Sequence, residues 1–227
     1  MTQADDASQR AWPDFDPLEH VVSERRIERI DRILANRIAS ITAVFEDIYD
    51  PHNVAACMRT CEGYGLQDVH MVTQKHGYTT PSTITKSADQ WLTAHQWENT
   101  KACVEALKAD GFGIWVADLQ AEATLDELPL EGKIALVVGN EAEGISAQMR
   151  ELADKRYMLP MQGMVQSFNL SVALAISLQQ IVPGKRAQLA GGDLSRDRQW
   201  QLRQRWLEYG VRHAKDVRQA YCDDPQP

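Results

Sequence analysis

The sequence predicts an α/β protein: a mostly parallel sheet covered by helices on both faces. Three observations carry that prediction. The runs FGIWVA (residues 112–117) and IALVV (134–138) are almost wholly apolar, as strands buried on both sides must be. Segments with helical spacing and cap signals separate such runs, which favours parallel strands joined by crossovers. Glycine, proline or Asp-Gly pairs close the segments.

Taken in order, residues 24–37 (ERRIERIDRILANR) give a helix with Ser23 as a fair N-cap and one apolar stripe of Ile27, Ile30, Leu34 and Ile38. Residues 41–48 (ITAVFEDI) read as a strand, 53–64 as a helix closed by Gly65, and 68–73 (DVHMVT) as a second strand. A short helix is expected over 86–91 and a strand over 92–97. A helix over 100–109 ends at Asp110-Gly111 and leads into the strand 112–117. After the strand 134–138, Ser146 caps a helix to Ala153, and 157–160 forms a last strand. A helix over 167–181 then ends at Pro183-Gly184. No internal repeat is present.

Composition sets the limits. The 227 residues, 44% of them hydrophobic, suit one generous domain or one domain with appendages. No apolar run nears the roughly 20 residues that span a bilayer. The start, MTQADDASQRAWPDFD, lacks a basic segment followed by an apolar core, so a secretory signal is not expected. Its polar, acidic character predicts a disordered lead-in over residues 1–22. Cys57, Cys61, Cys103 and Cys222 show no framework spacing. Reduced thiols in a cytoplasmic protein are expected, with no metal.

The net charge of −8 argues against a polyanion partner, yet the cations cluster at the two ends. Arg25, Arg26, Arg29 and Arg32 sit on the first helix. Lys185, Arg186, Arg196, Arg198, Arg203 and Arg205 open a basic tail with Trp200, Trp206 and Tyr209 interleaved. Such a stretch can hold phosphates and stack on bases, or it can be an amphipathic helix packed on the body. The organisation expected is a basic N-terminal helix (23–39), a central domain (40–183) and a basic helical extension (184–227).

In parallel sheets ligands gather at the carboxyl ends of strands, and three loops there are chemically loaded. DPHNVAACMR (50–59) places Asn53 and Arg59 six apart, on different faces of a regular helix. VVGNEAEGIS (137–146) offers Gly139 and Gly144 for close backbone approach, with Glu141 as an acceptor. LPMQGMVQSFNLS (159–171) sets Ser167 and Asn169 at the first turn of a helix that is apolar nearly all round. Those polar residues can be an ordinary N-cap or can hold an anion or polar ligand. The GxGxxG and GK[ST] signatures are absent.

These three segments resemble the motifs of the SpoU (TrmH) RNA ribose 2′-O-methyltransferases, over roughly residues 23–218. The resemblance implies a C-terminal deep trefoil knot, S-adenosylmethionine as methyl donor, and a homodimer. It assigns Arg59, Asn53, Glu141, Ser167 and Asn169 to catalysis, and Ala117, Gly139, Leu159 and Phe168 to the cofactor. Phe168 departs from the Leu usual there. With basic helices at both ends, the implied substrate is tRNA, methylated at the D-loop guanosine at position 18. The alternatives are another tRNA or rRNA nucleotide, or a catalytically idle RNA-binding or assembly protein of the same fold.

Overall fold

The computed structural model describes residues 15–74, 88–189 and 191–223. They fall into two compact units, one spanning Ile38–Ala190 and the other drawn from Met1–Arg37 and Gly191–Pro227.

The larger unit holds a six-stranded sheet in the order β3-β2-β1-β5-β4-β6. The strands are β1 (Ile41–Glu46), β2 (Asp68–Val72), β3 (Thr93–Trp97), β4 (Phe112–Ala117), β5 (Lys133–Val138) and β6 (Lys155–Tyr157). Every pairing is parallel. The central strand β1 is buried along its whole length. Its Ile41, Ala43 and Phe45 face one core with α2 (Pro51–Tyr64) and α5 (Leu170–Leu189). Its Val44 faces the other, with α3 (Thr100–Ala109) and α4 (Ala147–Leu152). Burial on both faces explains the near-continuous apolar runs.

Local chemistry sets most ends. Gly65 takes the left-handed conformation that closes α2. Asn99 caps α3, and Ser146 Oγ accepts the Met149 amide to cap α4. Four expectations need correction. The helix expected from residue 53 begins at Pro51, because the Asp50 side chain accepts the His52 amide as its cap and Pro51 fits the first turn. The helix expected over 86–91 lies partly outside the described residues, and Ala88–Trp91 is a turn. The last strand runs over Lys155–Tyr157 rather than 157–160. Finally, α5 begins at Leu170 and passes straight through Pro183 to Leu189. A mid-helix proline costs about 3 kcal/mol. Burial of Ile181, Val182 and Lys185, with Lys185 Nζ donating to the Gly132 carbonyl at 2.5 Å, offsets it.

In the smaller unit, α1 (Glu24–Leu34) packs on α6 (Arg196–Glu208), and α7 (Ala214–Asp223) packs on a 3₁₀ turn at Pro17–His20. Residues 15–22 are therefore ordered rather than part of a lead-in. Buried Leu18 anchors them, and Arg218 Nη2 donates to buried Asp16 at 2.7 Å. Residues 1–14 lie outside the described residues.

Among the described residues Cys57, Cys61 and Cys103 are free and buried. Burial pushes the Cys57 and Cys103 thiols up to about 12. No described helix is long and apolar enough to cross a membrane. No described group of three His, Cys, Asp or Glu could hold a metal ion.

One histidine is tuned by the sheet. His70 is buried on β2, in register with His95, and the rings stack at 4.7 Å. Its Nδ1 accepts Trp97 Nε1–H at 3.0 Å, and His95 Nε2 lies 2.8 Å from Asp68. Burial and then the His95 ring push His70 down to about 4, against the pull of Asp68 and Asp110. The unfolded chain protonates this group near 6.5, while the folded protein refuses the proton until about pH 4. Stability should therefore fall as pH drops through this window, by up to about 3 kcal/mol for this group. His70→Asn, which keeps an acceptor for Trp97, should flatten that part of a denaturation-against-pH curve. An unchanged curve would show that the folded ring is not held neutral.

Candidate functional site

The carboxyl ends of β4, β5 and β6 and the start of α5 surround a cavity of about 490 Å³. Val138, Ile145, Leu159, Phe168, Leu170 and Ala173 give it apolar walls. Ala117, Gly139, Glu141, Ser167 and Asn169 also line it. Thus all four positions expected to face a cofactor border one space with three of the five expected catalytic residues. Asn53 lines an adjoining hollow that shares the segment Asn140–Gly144.

The loop after β5 owes its shape to two residue types. Asn140 and Gly144 exchange both backbone hydrogen bonds, each at 2.9 Å. The Asn140 side-chain oxygen accepts the amides of Ala142 and Glu143 at 2.8 and 3.1 Å, and its Nδ2 donates to the Asp47 carbonyl at 2.8 Å. Sequence reading passed over Asn140. An Asn at a turn start, able to bind amides two and three residues on, was the available signal. Gly139 is required for a different reason. A Cβ there would sit 2.4 Å from the Gly144 carbonyl group and 2.5 Å from the Ile145 nitrogen, both backbone.

This loop holds Glu141 against the start of α2. Glu141 Oε1 accepts Asn53 Nδ2–H at 2.8 Å and the Asp50 amide at 3.2 Å, and Oε2 accepts the Tyr49 amide at 3.2 Å. Partial burial raises its carboxyl, but the bonds from Asn53 and the backbone amides outweigh it and hold the group below its usual range. Asn53 Oδ1 in turn accepts Asn169 Nδ2–H at 3.0 Å. Asn169 Oδ1 accepts the Ser171 amide at 2.9 Å and the Ser171 hydroxyl at 2.6 Å, opening α5. The cap of α5 is therefore Asn169 rather than Ser167. One polar chain, Glu141–Asn53–Asn169, links the three loops. Beneath it the buried carboxylate of Glu46 accepts the Ser146 amide at 2.9 Å and the Ser146 hydroxyl at 2.7 Å, fixing α4 against β1.

Arg59 is not part of this chain. It lies roughly 9 Å along α2 from Asn53, at about 1.5 Å rise per residue. It is exposed, lines neither hollow, and makes no hydrogen bond or ion pair among the described residues.

The expected RNA-facing cations separate into two sets. Arg25, Arg29 and Arg32 are exposed at helical spacing on α1. Arg26 and Arg186 are half-buried and donate to the carbonyls of Tyr209 and Tyr64, and Arg196, Arg198 and Arg205 are half-buried on α6. Two residues are corrected outright. Lys185 is buried on the Gly132 carbonyl. Arg203, its side chain 2% exposed, reaches Glu19 at 2.6 Å and Asp31 at 2.7 Å. Burial lowers the Arg203 pKa, but bonds to Glu19 and Asp31 outweigh it and raise it above the ordinary value. These two are structural charges.

An all-parallel α/β sheet with a lined cavity at its carboxyl edge, closed by a loop-borne polar chain, defines a ligand-binding protein of the doubly wound class. Comparison with known proteins narrows this. Residues 40–179 match the model of the SpoU rRNA Methylase family. A tRNA (guanosine(18)-2′-O)-methyltransferase of Borreliella burgdorferi is 33% identical over 166 residues, covering 73% of this chain and 76% of that one. The enzyme of the same name from Thermus thermophilus is 30% identical over 177 residues, covering 78% and 90%. The crystal structure of the A. aeolicus TrmH/SpoU tRNA modifying enzyme superposes with a TM-score of 0.73 at 27% identity, covering 83% of this chain and 98% of that one. The chain belongs to the SpoU methylase family.

Proposed function

We propose that this protein transfers a methyl group from S-adenosylmethionine to the ribose 2′-OH of the D-loop guanosine at position 18 of tRNA. The observation that carries the reading is the cavity shared by the second and third family motifs, to which the first is tied by one polar chain, Glu141–Asn53–Asn169. The family and the names of the relatives support it. The cavity also fits the donor. Asp118, Glu141 and Glu143 line it against one guanidinium, Arg150, a balance suited to a ligand of net positive charge.

In this reading Ala117, Gly139, Leu159 and Phe168 hold the donor through backbone and apolar contact. When bound, S-adenosylmethionine supplies an electrophilic methyl group. Glu141 and Asn53 fix Asn169, and Ser167 and Asn169 present polar atoms to the ribose. Arg59 binds the RNA phosphate and stabilises charge developing on the 2′-oxygen. It is no literal base, since guanidinium stays protonated in proteins. The phosphate or water takes the proton. Because Arg59 stands outside its own chain's cavity, the reading includes RNA and a homodimer as parts of the assembled site. Exposed Met164, Val165 and Val172, with Phe168, give the start of α5 and its preceding loop an uncovered apolar surface that suits a second copy. The reading also includes the trefoil knot of the family, a cytoplasmic protein without a metal, and a catalytic core with RNA-binding helices at both ends, the core running over Ile38–Ala190 rather than the expected 40–183 because α5 continues to Leu189.

The decisive experiment incubates the purified protein with S-adenosylmethionine and a tRNA transcript and maps the product nucleotide. Methylation at guanosine 18, lost when that ribose is 2′-deoxy, is expected. Methylation elsewhere makes it a family member of another target. Tight RNA binding without transfer makes it an idle RNA-binding protein.

The separation of the cations gives a second test. Arg25, Arg29 and Arg32 changed together to Gln should weaken tRNA binding and lower the slope of log affinity against log salt by about 2 to 3. Donor binding should be untouched. Arg203→Met should instead destabilise the smaller unit, by about 3–5 kcal/mol, since it strands Glu19 and Asp31. Equal slopes for the triple variant and the native protein would remove α1 from the RNA surface. Deleting residues 195–227 is a poorer test, because it strips buried Leu202, Trp206 and Leu207 from that unit.

A further inference from the structure

Arg150 is the one cation lining the cavity among the described residues, where the other charged groups are Asp118, Glu141 and Glu143. It stands on α4, and its Nε donates to Asp118 Oδ2 at 3.2 Å. The Asp118 side chain is 3% exposed and is itself fixed, accepting the Gln120 amide at 3.1 Å, with Arg156 Nη1 at 3.7 Å. A buried carboxylate thus grips one edge of the Arg150 guanidinium. The two Nη groups make no hydrogen bond among the described residues, and the side chain is 35% exposed. A guanidinium held by its Nε presents its terminal nitrogens as a planar fork, the geometry that pairs with a carboxylate.

Resting on the reading that S-adenosylmethionine fills this cavity, we propose that Arg150 is the subsite for the α-carboxylate of its methionine moiety. Charge decides the assignment. The donor carries a sulfonium and an ammonium, which suit the carboxylates of Glu141 and Glu143 beside the Arg150–Asp118 pair, and a single carboxylate, for which Arg150 is the matching cation. The cavity walls expected to face the donor, Ala117 and Leu159, belong to the same enclosure as Arg150. Asp118 is a positioning residue, because it orients the fork without being needed to touch the ligand.

The test is calorimetric binding of S-adenosylmethionine and of its decarboxylated analogue, which keeps the sulfonium and the ammonium, to the native protein, Arg150→Met and Arg150→Lys. The native protein should bind S-adenosylmethionine about 10- to 100-fold more tightly than the decarboxylated form, the range expected for one charged hydrogen-bonded pair. Arg150→Met should lose that preference by weakening only the carboxylated ligand. Arg150→Lys, which keeps the charge without the fork and spares Asp118 an unpaired state, should retain part of it. A cycle of this kind isolates the pair from general damage to the fold. Equal weakening of both ligands, or none, overturns the assignment. So does a loss confined to tRNA binding, which would make Arg150 a phosphate contact. A native protein that binds neither ligand overturns the donor reading itself, and the carboxylate assignment with it.

Discussion

Arg59→Lys should lower turnover by at least about 100-fold while S-adenosylmethionine binds almost as before. Lysine keeps the charge and loses the planar, multi-donor fork that can grip a phosphate and a developing alkoxide together. About 3 kcal/mol of transition-state stabilisation corresponds to that factor. Arg59 is exposed on α2 and lines neither hollow, so the substitution leaves the core and the donor's walls alone. Single-turnover methylation of a tRNA transcript, with donor affinity measured in parallel, separates the two effects. Turnover within about tenfold of the native rate would remove Arg59 from the chemistry. The site would then consist of the Glu141–Asn53–Asn169 chain and Ser167 alone.

Gly139→Ala should damage the site from the inside. The added carbon meets the backbone of Gly144 at 2.4 Å and of Ile145 at 2.5 Å, and backbone has no rotamer with which to yield. The loop must shift, and with it the Asn140–Gly144 turn that holds Glu141 on Asn53. Overpacking of this kind costs about 1–3 kcal/mol and sometimes more. A fall in melting temperature is expected, together with at least a tenfold loss of donor affinity, because Gly139, Glu141 and Ile145 all line the cavity. Alanine is nearly the smallest possible perturbation, so native stability and affinity in this variant would mean that the loop between β5 and α4 is far softer than its hydrogen bonds imply.

Much of this molecule was legible in one dimension. The parallel sheet follows from apolar runs too continuous for one-sided strands, and α3 and β4 fall where their caps and Asp110-Gly111 place them. The three loops could be read because chemistry that needs glycine, amide and carboxylate groups at fixed spacing leaves those letters in the chain. What the letters could not carry was which distant groups satisfy one another. Pro183 signals a stop, yet packing of Ile181, Val182 and Lys185 holds the helix through it. Arg203 and Arg25 look alike as letters, but Asp31 and Glu19 draw one inside while the other stays in water. Asn53 reads as the first residue of a helix, yet Asp50 caps that helix earlier and Asn53 joins Glu141 to Asn169. Asp118 and Arg150, thirty-two residues apart, showed no pattern at all. Local propensity and periodicity act over a few residues and are written in the sequence. The partner of a buried charge is chosen by desolvation, which only the folded chain imposes.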